Sequence, residues 1–374
     1  MSLWSFANGH ILCADGVRDA AGFEIDAAVI RMIVPPSQAP VDLAGGWLVP
    51  GFVDTQVNGG GDTLFNDDLT VEGIARIGAA HARYGTTAFL PTLISASLED
   101  IDAALNAVDA AIAANVPGVV GIHVEGPFLN DARKGIHDAG RFRPLDAAAL
   151  DLLTRPRQGV VMVTLAPERN DPAAITALVR AGVIVSIGHS NGTYADTRRA
   201  VDAGARGVTH LFNAMSPFHH REPGVVGAVL EDQALWCGLI VDGAHVHDAA
   251  IRVALAARPH DRFMLVTDAM PTVGSAEKQF TLNGERITVE NGVCVNADGV
   301  LAGSDLDMAR AVHNMVRLGT APETAFAMAA AYPAAFLGLS DRYGAIAPGQ
   351  RADWVWLDAD YLVRGTWIGG RRVF

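Results

Sequence analysis

The chain has 374 residues, half of them hydrophobic and 18% charged, with a formal net charge of -13. That length suits one large domain joined to a smaller one, and the low charge content leaves little room for disorder. The acidic balance argues against nucleic acid and anionic membrane as partners, since both are gripped by basic surface, but it is compatible with a small anion held by a few local cations.

From the start, MSLWSFANGHILCADG lacks the basic-then-apolar pattern of a secretory leader, and no apolar run reaches the roughly 18 residues of a membrane span. Cys13, Cys237 and Cys294 lie far apart and form no Cys-x-x-Cys pair, so buried thiols in a reducing cytoplasm are expected. Residues 1–47 read as short strands, ILCAD, FEIDAAVIRMIV and VDLAGGWLV, punctuated by Asp15-Gly16, Pro35-Pro36 and Gly45-Gly46. Residues 344–374 have the same character in ADWVWLDA and WIGGRRVF, so one composite β-domain built from both termini is expected.

Between them, over 48–343, strand and helix alternate. Eight runs qualify as strands: LVPGFVDTQVN (48–58), TAFLPTLI (87–94), VVGIHVEG (119–126), VVMVTLAPE (160–168), VIVSIGHS (183–190), GVTHLFNA (207–214), CGLIVDGAH (237–245) and FMLVTDAM (263–270). Their near-continuous Val, Ile and Leu content fits strands covered on both faces. Ser97 with Asp100 and Thr193 with Asp196 fit capping boxes, and Gly182 and Gly204 suit helix C-terminal caps. Such alternation predicts right-handed crossovers and a parallel sheet. Eight units favour an α/β class closed (β/α)8 barrel over an open doubly wound sheet, and no Gly-x-Gly-x-x-Gly follows the first strand. The Asn-Gly turns at 283–284 and 291–292 predict a β-hairpin insertion near 279–300, ahead of the last barrel helix, with LAGS at the barrel mouth.

Polar groups close several of these runs: Glu125, His189, His210 and Asp268. Residues at the ends of neighbouring parallel strands converge on the C-terminal face of a barrel. A carboxylate and two imidazoles are ligands of the types zinc accepts, and three protein ligands leave a position for water. A lone histidine is as readily a hydrogen-bonded core residue, so the shared rim carries the metal reading. Asp268, behind the apolar MLVT, is expected to act as a general base that passes its proton to a leaving nitrogen. The alternative is a carboxylate that orients a ligand histidine. Asp54 ends the first strand, and Gln56 and Asn58 stand where many barrel hydrolases carry His-x-His, so a second metal position is expected to be lost or weak. Gly59-Gly60-Gly61 reads as a flexible loop beside the metal. His10, His81, His260 and His313 lie outside the rim pattern and are read as structural, while His247 stays unassigned.

PGFVDTQVNGGG, HVEGPFLN, KGIHD, GHSNGTYAD, THLFNAM, REPGVVGAVL, DGAHVH, LVTDAM and LAGSDLDM occur in this order. Through them the chain resembles the N-acetylglucosamine-6-phosphate deacetylases of the amidohydrolase superfamily. The resemblance implies a TIM-like barrel with a terminal β-sandwich. It implies one divalent metal per subunit, Zn2+ before other ions, on Glu125, His189 and His210, with Asp268 as catalytic acid/base. It also implies that His137, next to Ile136, contacts the acetamido carbonyl, where an N–H could stabilise a developing oxyanion. Substrate contacts are implied at Asn213, Ala214, Arg221, His245 and the backbone of Leu301, Ala302 and Gly303. Gln56 and Asn58 match the branch of the family with one metal per site and would be vestigial second-metal positions.

Arg221, in HHREPG, could grip a phosphate through two parallel hydrogen bonds, and His219 and His220 either add charge there or belong to a solvated loop. Relatives of this type are usually dimers, and whether Arg221 serves its own site or a partner's is left open. The expected function is hydrolysis of the N-acetyl group of N-acetylglucosamine 6-phosphate, a small phosphorylated amino sugar, to glucosamine 6-phosphate and acetate in the cytoplasm. The alternatives are another amidohydrolase activity (a cyclic-amide hydrolase, a deaminase or a deacetylase of a different amino sugar) and a non-catalytic sugar-phosphate binding protein.

Overall fold

Strands rich in Val, Ile and Leu cannot leave either face in water, and here helices and side chains cover both. The computed structural model, which describes residues 2–374, places eight parallel strands in one sheet, paired in chain order. They are Phe52–Val57, Thr86–Ile94, Gly121–Glu125, Val160–Leu165, Ile184–Ile187, Gly207–Val208, Trp236–Leu239 and Phe263–Leu265. The two edges of this sheet meet: Val57 bridges Ala269, and the Asp268 amide donates to Gln56 O over 3.0 Å. The barrel is therefore closed between its first and eighth strands, and that closure sets Gln56, Asn58 and Asp268 side by side. The main core runs from Phe52 and Phe89 in the barrel to Val312 and Met315 on the last barrel helix, Met308–Arg317.

The local signals act as the chain suggests. Ser97 and Thr193 each complete a capping box with Asp100 and Asp196. Gly182 and Gly204 take positive φ, +86° and +106°, just past the helices Pro172–Arg180 and Tyr194–Asp202.

The stretch 48–58, read as one strand, is two. Trp47–Pro50 pairs antiparallel with Trp354–Leu357, and the barrel begins only at Phe52. Gly51 is the break between them, packed so closely that a Cβ there would lie 2.1 Å from Thr87 Oγ1. Trp47–Pro50 thus joins Ser2–Cys13, Gly16–Asp26 and Val29–Val34 to the C-terminal strands Trp354–Leu357, Val363–Ile368 and Arg371–Arg372 in one sheet. The Trp4 and Trp367 rings are 5.3 Å apart although their strands are three positions apart in the sheet. Three strand spacings in a flat sheet span about 14 Å. The sheet therefore curls over its own core of Phe6, Phe23, Trp354 and Trp367.

The insertion is larger than a hairpin. Gln279–Leu282, Glu285–Glu290, Val293–Val295 and Leu301–Ser304 form a four-stranded antiparallel meander, and Asn-Gly pairs with positive φ make its first two turns. LAGS is its last strand. The Ser304 amide donates to Asp268 O over 2.9 Å, which ties the meander to the barrel rim. Among the described residues no helix is long and apolar enough to cross a membrane, and the three cysteines are free and buried.

Candidate active site

Glu125 ends the third barrel strand, His189 and His210 stand two residues beyond the fifth and sixth, and Asp268 three beyond the eighth. Glu125 Oε1 lies 3.2 Å from His189 Nε2 and 3.0 Å from His210 Nε2, and the two ring nitrogens are 3.0 Å apart. Tetrahedral ligands about 2.1 Å from one ion sit roughly 3.4 Å from each other, so three converging donor atoms at this spacing fit a single divalent cation. His189 Nδ1–H donates to Arg133 O over 2.9 Å, which leaves its Nε2 lone pair facing the other two. Burial pushes the Glu125 carboxyl up, but its bonds to His189 and His210 and their charges outweigh this and hold it well below the usual carboxylate range. Burial works against a charged His210, yet Glu125, and then Asp268, raise it above the ordinary imidazole value.

The backbone at His189, His210 and Asp268 is left-handed, with φ of +48°, +33° and +52°. Such a conformation costs a non-glycine residue on the order of 1 kcal/mol. Three of the four rim groups carry that strain, so the surrounding structure, and not local preference, aims them.

Two amides, Gln56 and Asn58, stand beside the carboxylates of Glu125 and Asp268. Gln56 Nε2 lies 3.2 Å from both Glu125 oxygens and donates to Asp268 Oδ1 at 3.0 Å, and Asn58 Nδ2 donates to the same Oδ1 at 2.7 Å. They set N–H dipoles between two carboxylates where a cation would otherwise be needed. Oδ1 of Asp268 is thereby saturated, and Oδ2 is left for other work. Burial, then the Glu125 charge, raises Asp268 above the usual carboxylate value, while His210, His245 and the Asn58 bond pull it back.

Glu125, His189, His210 and Asp268 line one cavity of about 350 Å³, with Asn58, Ile136, His137, Asn213, Ala214, His245, Leu301 and Gly303. His137 Nδ1 is 2.8 Å from Ser95 Oγ, and burial, then the charge of His189, holds the imidazole well below its ordinary value. With the Ser95 hydroxyl donating to Nδ1, the neutral ring keeps Nε2–H as its donor. His245 Nδ1–H donates to Asp242 Oδ2 over 2.6 Å, which fixes its ring. Ala302 is fully buried and turns away from the cavity, as strand alternation between Leu301 and Gly303 requires. Arg221 is not part of this cavity. It is exposed, and its amide donates to His219 Nδ1 at 3.3 Å.

The glycine run is not a flexible loop. Gly59 and Gly60 pair with Leu64 and Thr63 in a buried turn, and the Gly59 amide donates to Ala269 O at 2.9 Å. Gly59 O accepts from His81 Nε2–H at 2.9 Å, and a Cβ on Gly60 would meet the His81 ring at 2.9 Å. Missing side chains here permit close backbone approach. Burial takes His81 down to about 4, so it stays neutral beneath the turn.

Several contributors stand outside the expected site residues. His123 lies two residues before Glu125 on the same strand face, donates or accepts at Thr164 Oγ1 over 2.7 Å, and is taken down to about 4 by burial. Strand alternation in HVE was the available signal. Asp54 is fully buried, accepts from Thr267 Oγ1 at 2.6 Å and from the Gln56 amide at 3.1 Å, and burial pushes it up to about 7. Ser95, Asp242 and Glu168 act only through partners distant in sequence or in turns.

A family model described as Amidohydrolase family matches residues 47–373. The chain is 43% identical over 333 residues to an N-acetylgalactosamine-6-phosphate deacetylase of Shewanella sp. (strain ANA-3), covering 89% of this chain and 84% of that protein. It is 34% identical over 366 residues to an N-acetylglucosamine-6-phosphate deacetylase of Haemophilus influenzae, covering 96% and 95%. A mutant N-acetyl-D-glucosamine-6-phosphate deacetylase of Mycobacterium smegmatis, solved in complex with N-acetyl-D-glucosamine-6-phosphate, superposes with a TM-score of 0.91 at 35% identity, covering 100% of both chains.

Proposed function

We infer that this chain, which belongs to the amidohydrolase family and within it to the N-acetylglucosamine-6-phosphate deacetylases, hydrolyses the N-acetyl group of N-acetylglucosamine 6-phosphate to acetate and glucosamine 6-phosphate. The observation that carries this reading is the convergence of Glu125, His189 and His210 within 3.0–3.2 Å of one another, in one cavity with the half-engaged carboxylate of Asp268.

Glu125 Oε1, His189 Nε2 and His210 Nε2 would hold one divalent ion, Zn2+ being the ion we propose. When bound, such an ion supplies Lewis acidity that acidifies water and polarises the amide carbonyl. Asp268 Oδ2 takes a proton from the attacking water, while Oδ1 stays anchored by Asn58 and Gln56. The new C–O bond forms as His137 Nε2–H donates to the carbonyl oxygen gaining charge. Asp268 then gives its proton to the amide nitrogen, the C–N bond breaks, and amine and acetate leave. His245, fixed by Asp242, meets the sugar phosphate from within the cavity.

Arg221 supplies the second grip on phosphate, in its own site or in that of a partner, within a homodimer that works in the cytoplasm. Its exposed loop, next to Phe218 at 62% exposure, supports a role completed by another surface. A second reading, the galacto epimer as preferred substrate, is favoured by the 43% identity to the Shewanella enzyme. The two sugars differ only at C4, away from the reacting amide.

Metal analysis of the purified protein, coupled to acetate release from both 6-phosphates and from N-acetylglucosamine, tests the whole reading. The expected result is one divalent ion per chain and release that favours the phosphorylated sugars by kcat/KM. Protein with neither metal nor acetate release would be a binding protein, and loss of phosphate preference would point to another amide substrate. The ratio of kcat/KM for the two epimers decides between them.

A further inference from the structure

Glu168 follows the fourth barrel strand on the same rim as the metal-binding side chains, and the chemistry above leaves it unused. Its two oxygens accept from three donors. Oε1 takes Asn130 Nδ2–H at 2.8 Å and the Asn191 amide at 2.7 Å, and Oε2 takes the Ser190 hydroxyl at 2.6 Å. Asn130 lies in the loop that follows Glu125, whereas Ser190 and Asn191 follow His189 directly. One carboxylate, in the turn just past the strand between, fastens the segments behind two of the three metal-binding residues.

Those segments meet again at His189. The Asn130 amide donates to His189 O at 3.1 Å, and Arg133 O accepts from His189 Nδ1–H at 2.9 Å. Arg133 Nε donates to Asn191 Oδ1 at 2.9 Å. The carbonyl that sets the His189 tautomer therefore sits on a loop that Glu168 holds against the residues after His189. That histidine has φ of +48°, a backbone it would not choose, so its setting depends on such restraints.

We propose that Glu168 is a positioning residue for the metal site: through Asn130, Ser190 and Asn191 it fixes His189 with Nε2 toward Glu125 and His210, and so sets metal affinity. The proposal rests on the reading of that trio as a metal site. The Asn191 amide and Asn130 Nδ2–H can only donate, and a charged carboxylate answers both, and the Ser190 hydroxyl with them, more strongly than a neutral amide does. In Glu168→Gln the charge is lost and an NH2 group takes the place of one acceptor, so the Ser190 bond must reverse or break and the bonds that Asn130 and Asn191 make to the remaining oxygen weaken.

The test is chelator competition on the full chain, giving the Zn2+ dissociation constant, with kcat and KM at saturating metal and thermal melting recorded alongside. In Glu168→Gln the dissociation constant should rise about 10- to 100-fold, the effect expected for groups that orient a ligand histidine. Activity should recover as metal is raised, with KM close to that of the parent protein. Glu168→Asp, which keeps the charge, should fall between the two. A purely architectural role would lower the melting temperature and leave the dissociation constant alone. A constant within about twofold of the parent overturns the proposal; if Glu168→Gln fails to fold, Ser190→Ala, which removes one donor, is judged by the same criterion. A parent chain that binds no divalent ion overturns the metal reading itself, an outcome distinct from tight binding that the substitution does not change.

Discussion

The cavity around Glu125 and the exposed loop around Arg221 are built on opposite terms. At the metal end every group is buried and cross-bonded, and three residues hold strained left-handed backbone. At the Arg221 end an exposed loop carries Phe218, two histidines with ring centroids 4.3 Å apart, and an arginine outside the cavity. The chemistry needs donors and charges fixed before the reaction starts, because reorganising them during bond making would raise the barrier. A phosphate needs only charge within reach, and a loop or a second chain can deliver it on binding. His245 bridges these terms, since Asp242 fixes its ring within the cavity.

The strongest way to break this contrast is Asp268→Asn. The amide oxygen can still accept from Asn58 and Gln56, but no group remains to carry the proton. Loss of such a group should lower kcat by about 10²–10⁴-fold while metal content and substrate binding persist. Turnover near that of the parent would show that the preset end is not where the proton moves. Arg221→Ala probes the other end. Removing a hydrogen bond to a charged group costs about 1.5–3 kcal/mol, so KM should rise about 10- to 100-fold with kcat changed far less. Mixing these two variants tests whether the proposed phosphate contact of Arg221 is made in its own chain's site or in a partner's. Recovered activity would mean that two chains associate and that the arginine works across their interface, because one site in the mixed pair is then intact. No recovery means it works within its own chain.

The sequence carries much of the metal end because short-range rules govern it. Buried parallel strands announce themselves as apolar runs, and a barrel must bring their ends to one rim, so Glu125, His189, His210 and Asp268 stood out. The eightfold alternation and both capping boxes are local too. What stayed hidden depends on contacts distant in the chain. Nothing in LVPGFVDTQVN says that Trp47–Pro50 pairs with Trp354–Leu357, nor that the terminal sheet curls until Trp4 meets Trp367. The glycine run looks mobile until His81 is seen pressed beneath it. Glu168, Ser95 and Asp242 resemble ordinary polar residues until their partners are in place. Arg221 bears a clear motif, yet the motif does not reveal that its loop lies outside the cavity.

A smaller effect sharpens the contrast further. Asp268 accepts the reacting proton only when ionised, and the Asn58 bond favours that ionised form against burial and the Glu125 charge. Asn58→Ala removes the bond, so the carboxyl is raised further and protonates at higher pH. The acid limb of kcat/KM should then move toward higher pH. At the acid end the loss should approach about 10- to 100-fold, the worth of one hydrogen bond to a charged group at about 1.5–3 kcal/mol, with a smaller change on the plateau. Arg221→Ala, outside the cavity that holds that carboxylate, should leave the limb where it is and lower the whole curve. If the limb moves in both variants, the two ends are coupled and the division between a preset metal end and a completed phosphate end fails. If it moves in neither, the amide pair stands beside Asp268 without tuning the carboxyl, and Gln56 alone secures its orientation.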